Sequence, residues 1–286
     1  MLYAVTGATG AFGTLAVRHL LKLKVPASSI VALVRDEAKA ASLKADGVQV
    51  RKADYDDRGS LAAALKGVDR LLLVSSNAVG KRFPQHQSVV EAAKAAGVKL
   101  VVYTSIAHAD TSANPLAPDH KATEEFIRKS GIPFVFLRNN WYTENYTDDV
   151  KNAKNSGGIF GAYDAGKVAS ASRTDYAEAA ARVLSGEGHA GKVYELSGTE
   201  AWDFPELAKI TGELHGRDVT YNNQSADARK KALLGFGLPE GVADFVTALD
   251  RGVAAGTLAQ ASTDLTKILG RQPQSLKEGL KAALGQ

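Results

Sequence analysis

Residues 2–13 read LYAVTGATGAFG. Leu2–Thr6 is a short apolar strand, and Phe12–Lys24 carries Leu15, His19, Leu20 and Leu23 at the spacing of one helix face. Gly7, Gly10 and Gly13 fill the turn between the two elements. A glycine-rich turn that closes a strand and opens a helix can hold a phosphate, because the first N–H groups of the helix have no internal partners and the helix dipole favours negative charge. Gly10 allows the backbone to approach a pyrophosphate, and Gly13 allows the helix to pack closely on the strand. Thr9 adds a hydroxyl, Ala11 and Phe12 lie within the loop, and Thr6 precedes it; all are counted with the phosphate-binding set. The spacing is G-x-x-G-x-x-G rather than G-x-G-x-x-G, so the triplet alone leaves a ligand-free turn open. The pattern that follows decides the matter.

Five more strand–helix units follow. Ile30–Val34, Val48–Ala53, Arg70–Val74, Lys99–Thr104 and Ile132–Leu137 read as apolar strands. Asp36–Ala45, Ser60–Lys66, Pro84–Ala96 and Asp119–Ser130 read as the helices between them. Strands this apolar need cover on both faces, which implies an α/β fold with a doubly wound parallel sheet of Rossmann type. Past Leu137 the pattern loosens. Asn155–Gly161 is glycine-rich and reads as a turn, Asp175 caps a helix to Leu184, and Lys192–Leu196 reads as a strand returning to the first sheet. Phe204–His215 is a helix with Pro205 just inside its start, and the remainder reads as helical, ending with Ser275–Leu284. The expected organisation is a dinucleotide-binding domain over 1–138, joined by 168–200. A smaller, mainly helical C-terminal substrate lobe comes from 139–167 and 201–286.

The chain has 286 residues, 45% of them hydrophobic and 23% charged, enough for a sizeable core. It has no cysteine, which excludes disulfides, thiolate metal sites and thiol nucleophiles, and fits a reducing cytoplasm. No metal site is expected. The net charge of +4 comes without any Lys/Arg run, so no nucleic-acid partner is expected. No signal peptide and no apolar run of membrane-span length is read from the sequence.

The second strand ends at Val34-Arg35-Asp36-Glu37, where the adenosine ribose of a dinucleotide would lie. An acid there would select NAD, whereas the Arg35 guanidinium suits a 2′-phosphate, which favours NADP. The competing reading makes Arg35 a surface charge and Asp36 a helix cap. Asp54 and Tyr55 follow the third strand, where a carboxylate could accept from the adenine amine or simply form a turn. Ser75, Ser76 and Asn77 follow the fourth strand and line the cofactor's path, or are only a polar turn. Thr104, at the end of the fifth strand, is counted with the cofactor-binding set.

In this order, the segments TGATGAFG (6–13), LVRDEAKA (33–40), AAKAAGVKLVVYTSIAHADTS (92–112), LRNNWYTEN (137–145), GKVASASRTDYAEAAARVL (166–184) and GKVYELSG (191–198) resemble the short-chain dehydrogenase/reductase superfamily. They resemble its atypical NmrA-like branch in particular, and within that branch the bacterial NAD(P)H:quinone oxidoreductases and the triphenylmethane dye reductases. The resemblance covers nearly the whole chain. It implies NADPH as donor and a quinone or dye-like small molecule as acceptor. It also implies that Asn139, Asn140, Trp141, Tyr142, Thr143 and Glu144 run past the nicotinamide, with Arg173 near the cofactor or substrate. Asn140 stands where Asn-Gly-Trp-Tyr is expected. If that position has positive φ, Asn is the least costly replacement.

Typical members of the superfamily carry a catalytic Tyr-x-x-x-Lys. The one match here, Tyr163 and Lys167, flanks a turn well after the helix that should hold the pair, and reads as chance. That helix offers Asp119, His120 and Lys121 instead. His120 is either a proton donor or an ordinary helix-start residue, and His108 has the same ambiguity. With His120, Asn140 and Tyr142 are the candidate catalytic residues. Phe83, His108, Trp141 and Tyr142 are candidate pocket walls, with core packing as the competing fate of the aromatics. A quinone yields a stabilised anion on accepting hydride, so solvent can finish protonation and orientation can suffice. The branch also holds proteins that bind the dinucleotide and control a partner without turnover, and the missing motif permits that reading too.

Overall fold

Seven parallel strands build the central sheet of the computed structural model, which describes residues 1–286. They are β1 (Tyr3–Val5), β2 (Ile30–Val34), β3 (Gln49–Lys52), β4 (Arg70–Leu73), β5 (Leu100–Ile106), β6 (Phe134–Asn139) and β9 (Val193–Leu196). Their order is β3-β2-β1-β4-β5-β6-β9. The chain starts in the middle, winds outward to β3, then returns and winds the other way from β4. That reversal opens a crevice above the carboxyl ends of β1 and β4.

The sequence of β2 shows why the strands are continuously apolar. Ile30, Ala32 and Val34 enter the core on one face, and Val31 and Leu33 enter the core on the other. The first core packs under α1 (Ala11–Lys22), with Ala16, Val17 and Leu20. The second packs under α3 (Arg58–Ala64), α4 (Arg82–Ala95) and α5 (Ala117–Ser130), with Leu61, Val89, Val90 and Ile127. After β2 the expected helix over 36–45 is split into a 3-10 turn at Glu37–Ala40 and a short α2 (Ala41–Ala45).

Beyond β6 come α6 (Thr147–Ser156), β7 (Gly158–Gly161), β8 (Lys167–Val168) and α7 (Arg173–Ser185), which packs back on the first core beside α1. After β9 follow β10 (Trp202–Asp203), α8 (Phe204–His215), β11 (Thr220–Asn223), α9 (Ala226–Gly235), α10 (Glu240–Ala254), α11 (Asp264–Leu269) and α12 (Leu276–Ala283). A third core of Tyr146, Val150, Tyr163, Trp202, Phe204 and Leu207, among others, unites much of this C-terminal part.

Three expectations are corrected here: Asn155–Gly161 as a turn, the stretch after His215 as wholly helical, and Asp175 as the cap of α7, which is capped by Ser172 instead. Asn155–Gly161 is not a turn: α6 runs to Ser156, and β7 then pairs in parallel with β11, a strand the sequence pattern did not reveal. The glycines of β7 answer to close packing. A Cβ on Gly161 would lie 2.0 Å from the Tyr163 ring, and one on Gly158 would lie 2.6 Å from Asn222 Nδ2. A two-stranded antiparallel pair, β8 with β10, completes the C-terminal part. No helix is long and apolar enough to cross a membrane.

Candidate active site

A cavity of about 450 Å³ lies over the carboxyl ends of β1 to β4. Its floor is the glycine loop. Gly7 has φ +58°, and a Cβ on Gly13 would stand 2.3 Å from the Gly7 carbonyl oxygen, so the turn closes only with glycine at position 13. Helix α1 has no side-chain cap and no acid in its first turn. The N–H groups of Ala11, Phe12 and Gly13 find no partner within the protein. Such a set of free N–H groups at a helix start can hold a phosphate.

Gly7, Thr9, Gly10, Ala11, Phe12, Gly13, Arg35, Asp54, Tyr55, Ser75, Ser76 and Asn77 all line the cavity. Asp36 turns away and caps the 3-10 turn, accepting from Ala38 N–H at 3.0 Å. Arg35 is therefore left on the wall, joined by Lys39 from the same turn, and neither cation has a carboxylate partner. Asp54 forms a turn through one oxygen, which accepts from Asp56 N–H at 3.0 Å, while still lining the cavity.

Tyr55 bridges the floor. Its hydroxyl lies 2.5 Å from Thr6 Oγ1 and 2.8 Å from the Val74 carbonyl, and burial pushes its pKa upward. Thr6 and Thr104 lie beneath the cavity and support it: Thr6 Oγ1 accepts from Val74 N–H and Thr104 Oγ1 from Ser75 N–H, at 2.9 and 2.8 Å. Ser76 is held on every side. Its N–H donates to His86 Nε2 at 2.9 Å, its carbonyl accepts from Arg82 Nε at 2.6 Å, and its hydroxyl donates to Gln85 Oε1 at 2.5 Å.

The second cluster of expected residues sits at the end of β6, outside the walls of this cavity. Tyr142 packs between Phe12 and Tyr176, with the Arg173 guanidinium 5.1 Å above its ring. The Arg173 N–H is held by both oxygens of Glu144 at 2.9 Å. Trp141 packs on the C-terminal core. Asn139 is buried with neither amide atom hydrogen-bonded. Asn140 does not have positive φ, which corrects the conditional reading of that position. Its Nδ2 donates to the Leu258 carbonyl at 3.1 Å and its Oδ1 accepts from Trp141 N–H at 2.7 Å, so it ties the end of β6 to the segment after α10.

Several candidates lie elsewhere. His120 is buried on α5 with Nδ1 2.7 Å from the Tyr103 hydroxyl, and burial, with Arg82 and His86 nearby, drives its pKa well down. Phe83 packs edge-on against Phe126. His108, at φ +51°, donates its N–H to Glu195 at 3.0 Å beside a separate void of about 40 Å³. Tyr163 stacks on Phe204 at 3.6 Å in the C-terminal core, consistent with a chance match to Tyr-x-x-x-Lys. Asp175, fully buried, accepts from Arg271 Nη2 and Gln274 N–H at 2.8 Å each, so part of the Arg173-Thr-Asp-Tyr motif anchors the C-terminal segment.

Sequence reasoning missed Lys39 and Gln85 on the cavity wall. Lys39 could have been found as a second cation four residues after Arg35, whereas nothing in the local sequence marks Gln85. It also missed a buried ion cluster, in which Arg138 grips Glu124 through Nε and Nη2 at 2.9 and 2.7 Å and reaches Asp110 and Glu195 through Nη1.

These residues fit a dinucleotide carrying a 2′-phosphate: a glycine-rich cradle, unpartnered helix N–H groups and two unpaired cations at the far end. Comparison with known proteins agrees. Residues 2–271 match the model of the NmrA-like family. Quinone oxidoreductase 2 of Escherichia coli (strain K12) is 48% identical over 279 residues, covering 98% of this chain and 97% of that protein. The crystal structure of an E. coli NADPH-dependent quinone oxidoreductase complexed with NADPH superposes with a TM-score of 0.95 over 99% of this chain and 100% of that one, at 48% identity. That of Citrobacter sp. triphenylmethane reductase complexed with NADP(H) gives 0.94 at 40% identity, over 99% and 100%. With family model, sequence relatives and fold in agreement, this chain belongs to the NmrA-like family.

Proposed function

We propose that the protein is a flavin-free reductase that transfers hydride from NADPH to a quinone or a similar conjugated small molecule. The observation that carries this reading is the cavity over β1 to β4, where the glycine cradle and the unpaired Arg35 and Lys39 meet. The chain around it is 48% identical to quinone oxidoreductase 2. Bound NADPH supplies the hydride. The N–H groups of Ala11, Phe12 and Gly13 hold the pyrophosphate, Arg35 and Lys39 the 2′-phosphate, and Asp54 the adenine amine. Ser75, Ser76 and Asn77 line the path toward the end of β6. The half-buried Tyr142 ring presents an aromatic face for the nicotinamide end and the acceptor, with the buried Asn139 amide behind it.

No placed acid is required. A quinone takes hydride into a ring that stabilises the resulting anion, and solvent protonates it, so orientation supplies most of the rate. The cytoplasm is the compartment this reading implies. Purified protein with NADPH and a panel of quinones should show loss of nicotinamide absorbance. A triphenylmethane dye run in parallel ranks the second acceptor class. Absence of turnover across all of them, with tight NADP(H) binding retained, would replace the enzyme by a dinucleotide-sensing regulator.

A further inference from the structure

Strands β3 and β4 are separated in the sheet by β2 and β1, yet the loops that follow them touch. Gln85, in the first turn of α4, makes the contact. Its Oε1 accepts from the Ser76 hydroxyl at 2.5 Å and its Nε2 donates to Asp56 Oδ2 at 2.9 Å. A carboxylate only accepts, so the amide can face only this way. Gln85 lines the cavity, whereas Asp56 is exposed. The Tyr55 hydroxyl makes the same crossing deeper down, to Thr6 and Val74. Two bridges therefore span the ends of β1 and β2, one at the floor and one at the solvent edge.

The two bridges differ in strength. The inner one is part-buried and joins residues just past the ends of β3, β1 and β4. The outer one ties the first turn of α4 to the loop after β3 through one exposed hydrogen bond, beside an exposed ion pair of Arg58 with Glu91 at 3.0 Å that joins the helices further from the cavity. It can open on its own while the floor stays intact.

We propose that Gln85 and Asp56 form a clasp across the cavity that must open for the dinucleotide to leave, so that this pair sets the release rate of NADP(H). Gln85 acts as a positioning residue, through the Asp56 and Ser76 loops. The inference rests on the cavity being the NADPH site. Product release or lid opening limits turnover in many enzymes, so the pair sits where a change in loop contact can change rate.

The test is a double-mutant cycle read by stopped-flow displacement of NADPH from otherwise intact protein. Gln85→Ala and Asp56→Ala should each speed release about fivefold, the equivalent of one such hydrogen bond, and the double variant should be no faster than either. The sign at Asp56 is diagnostic. Removing an anion from the mouth of a site for a polyanion would slow release if bulk electrostatics ruled, whereas loss of the clasp speeds it. Slower or unchanged release in Asp56→Ala, or single effects that multiply in the double variant, overturn the clasp. Arg35→Ala is measured alongside to test the cavity itself. If it weakens NADPH while the clasp variants release at the wild-type rate, only the clasp falls. If it leaves NADPH binding unchanged, the assignment of the cavity falls and the clasp with it.

Discussion

The Tyr103 hydroxyl and Nδ1 of His120 lie 2.7 Å apart, both buried between β5 and α5. Burial raises the pKa of the phenol, so it keeps its proton and donates it to Nδ1. His120 is then neutral, with its own proton on Nε2. A general acid contributes about a hundredfold or more and must reach the reacting atoms, and His120 stands outside the walls of the cavity. His120→Asn preserves an acceptor for Tyr103. We expect quinone turnover to stay within about threefold of wild type while thermal stability falls by a few degrees, as for loss of core packing. A hundredfold loss of kcat at unchanged Tm would restore His120 as the proton donor.

His86 supports a pH prediction. Its Nε2 accepts from Ser76 N–H, and Thr123 Oγ1 spends its own proton on the Asp119 carbonyl, so Nδ1 must donate to Thr123. Both ring nitrogens are committed with one proton. Burial, helped by Arg82, lowers the pKa from 6.5 to about 3. The unfolded chain therefore binds a proton that the folded one refuses between pH 6.5 and 3. The stability that depends on neutral His86 is present above about pH 6.5 and is lost as pH falls through that window, by about 2 kcal/mol at pH 5. Asp149 runs the other way. Burial raises its pKa to about 6, so its contribution is lost as pH rises through that value. Absolute Tm mixes these with His120 and other buried groups, but a difference isolates His86. His86→Gln should be less stable than wild type at pH 7.5, and the gap should narrow by about 4 °C at pH 5. A gap independent of pH would show that His86 is not neutral in the folded protein.

What was legible in the sequence was whatever repeats or whatever is local. Five consecutive apolar residues at Ile30–Val34 announce a strand covered on both faces, and the glycine loop announces its own turn. Asn140 was not legible in that way. Its partners at Leu258 and Gln260 are 118 and 120 positions distant, and a residue that fits a positive-φ turn equally fits a side-chain tie. The same holds for Gln85, whose partner Asp56 is 29 residues upstream. The glycines of β7 misled for a related reason: glycine marks a turn when its φ requires it, but marks a strand when a neighbour fills the space of its Cβ.

Arg35 and Lys39 are unpaired cations on one wall, and the acid that could have bound a ribose diol, Asp36, is spent as a cap. Arg35→Ala should therefore raise KM for NADPH at least tenfold, the scale of one charge-assisted contact, with little effect on KM for NADH. Lys39→Ala should act in the same direction and less strongly, because a lysine offers a point charge where arginine offers a fork. Equal effects on both cofactors would refute a 2′-phosphate at this end.

Arg138 and Glu124 are joined by two hydrogen bonds beneath the end of β5, and Ser105 adds a third to Glu124 at 2.7 Å. Both charges are buried, so removing one strips the other of its main partner with little water to replace it: Glu124 keeps only Ser105, and Arg138 only Asp110 and Glu195. Arg138→Met should destabilise the protein by about 3–5 kcal/mol in chemical denaturation. Glu124→Leu alone should do the same, since the guanidinium then keeps only the more exposed Asp110 and Glu195. The double variant, Arg138→Met with Glu124→Leu, should be more stable than either single one, because an apolar pair needs no compensation and the two stranded charges are gone together. If the double variant instead loses the sum of the single losses, the two residues stabilise the fold through separate contacts and the ion pair between them contributes nothing.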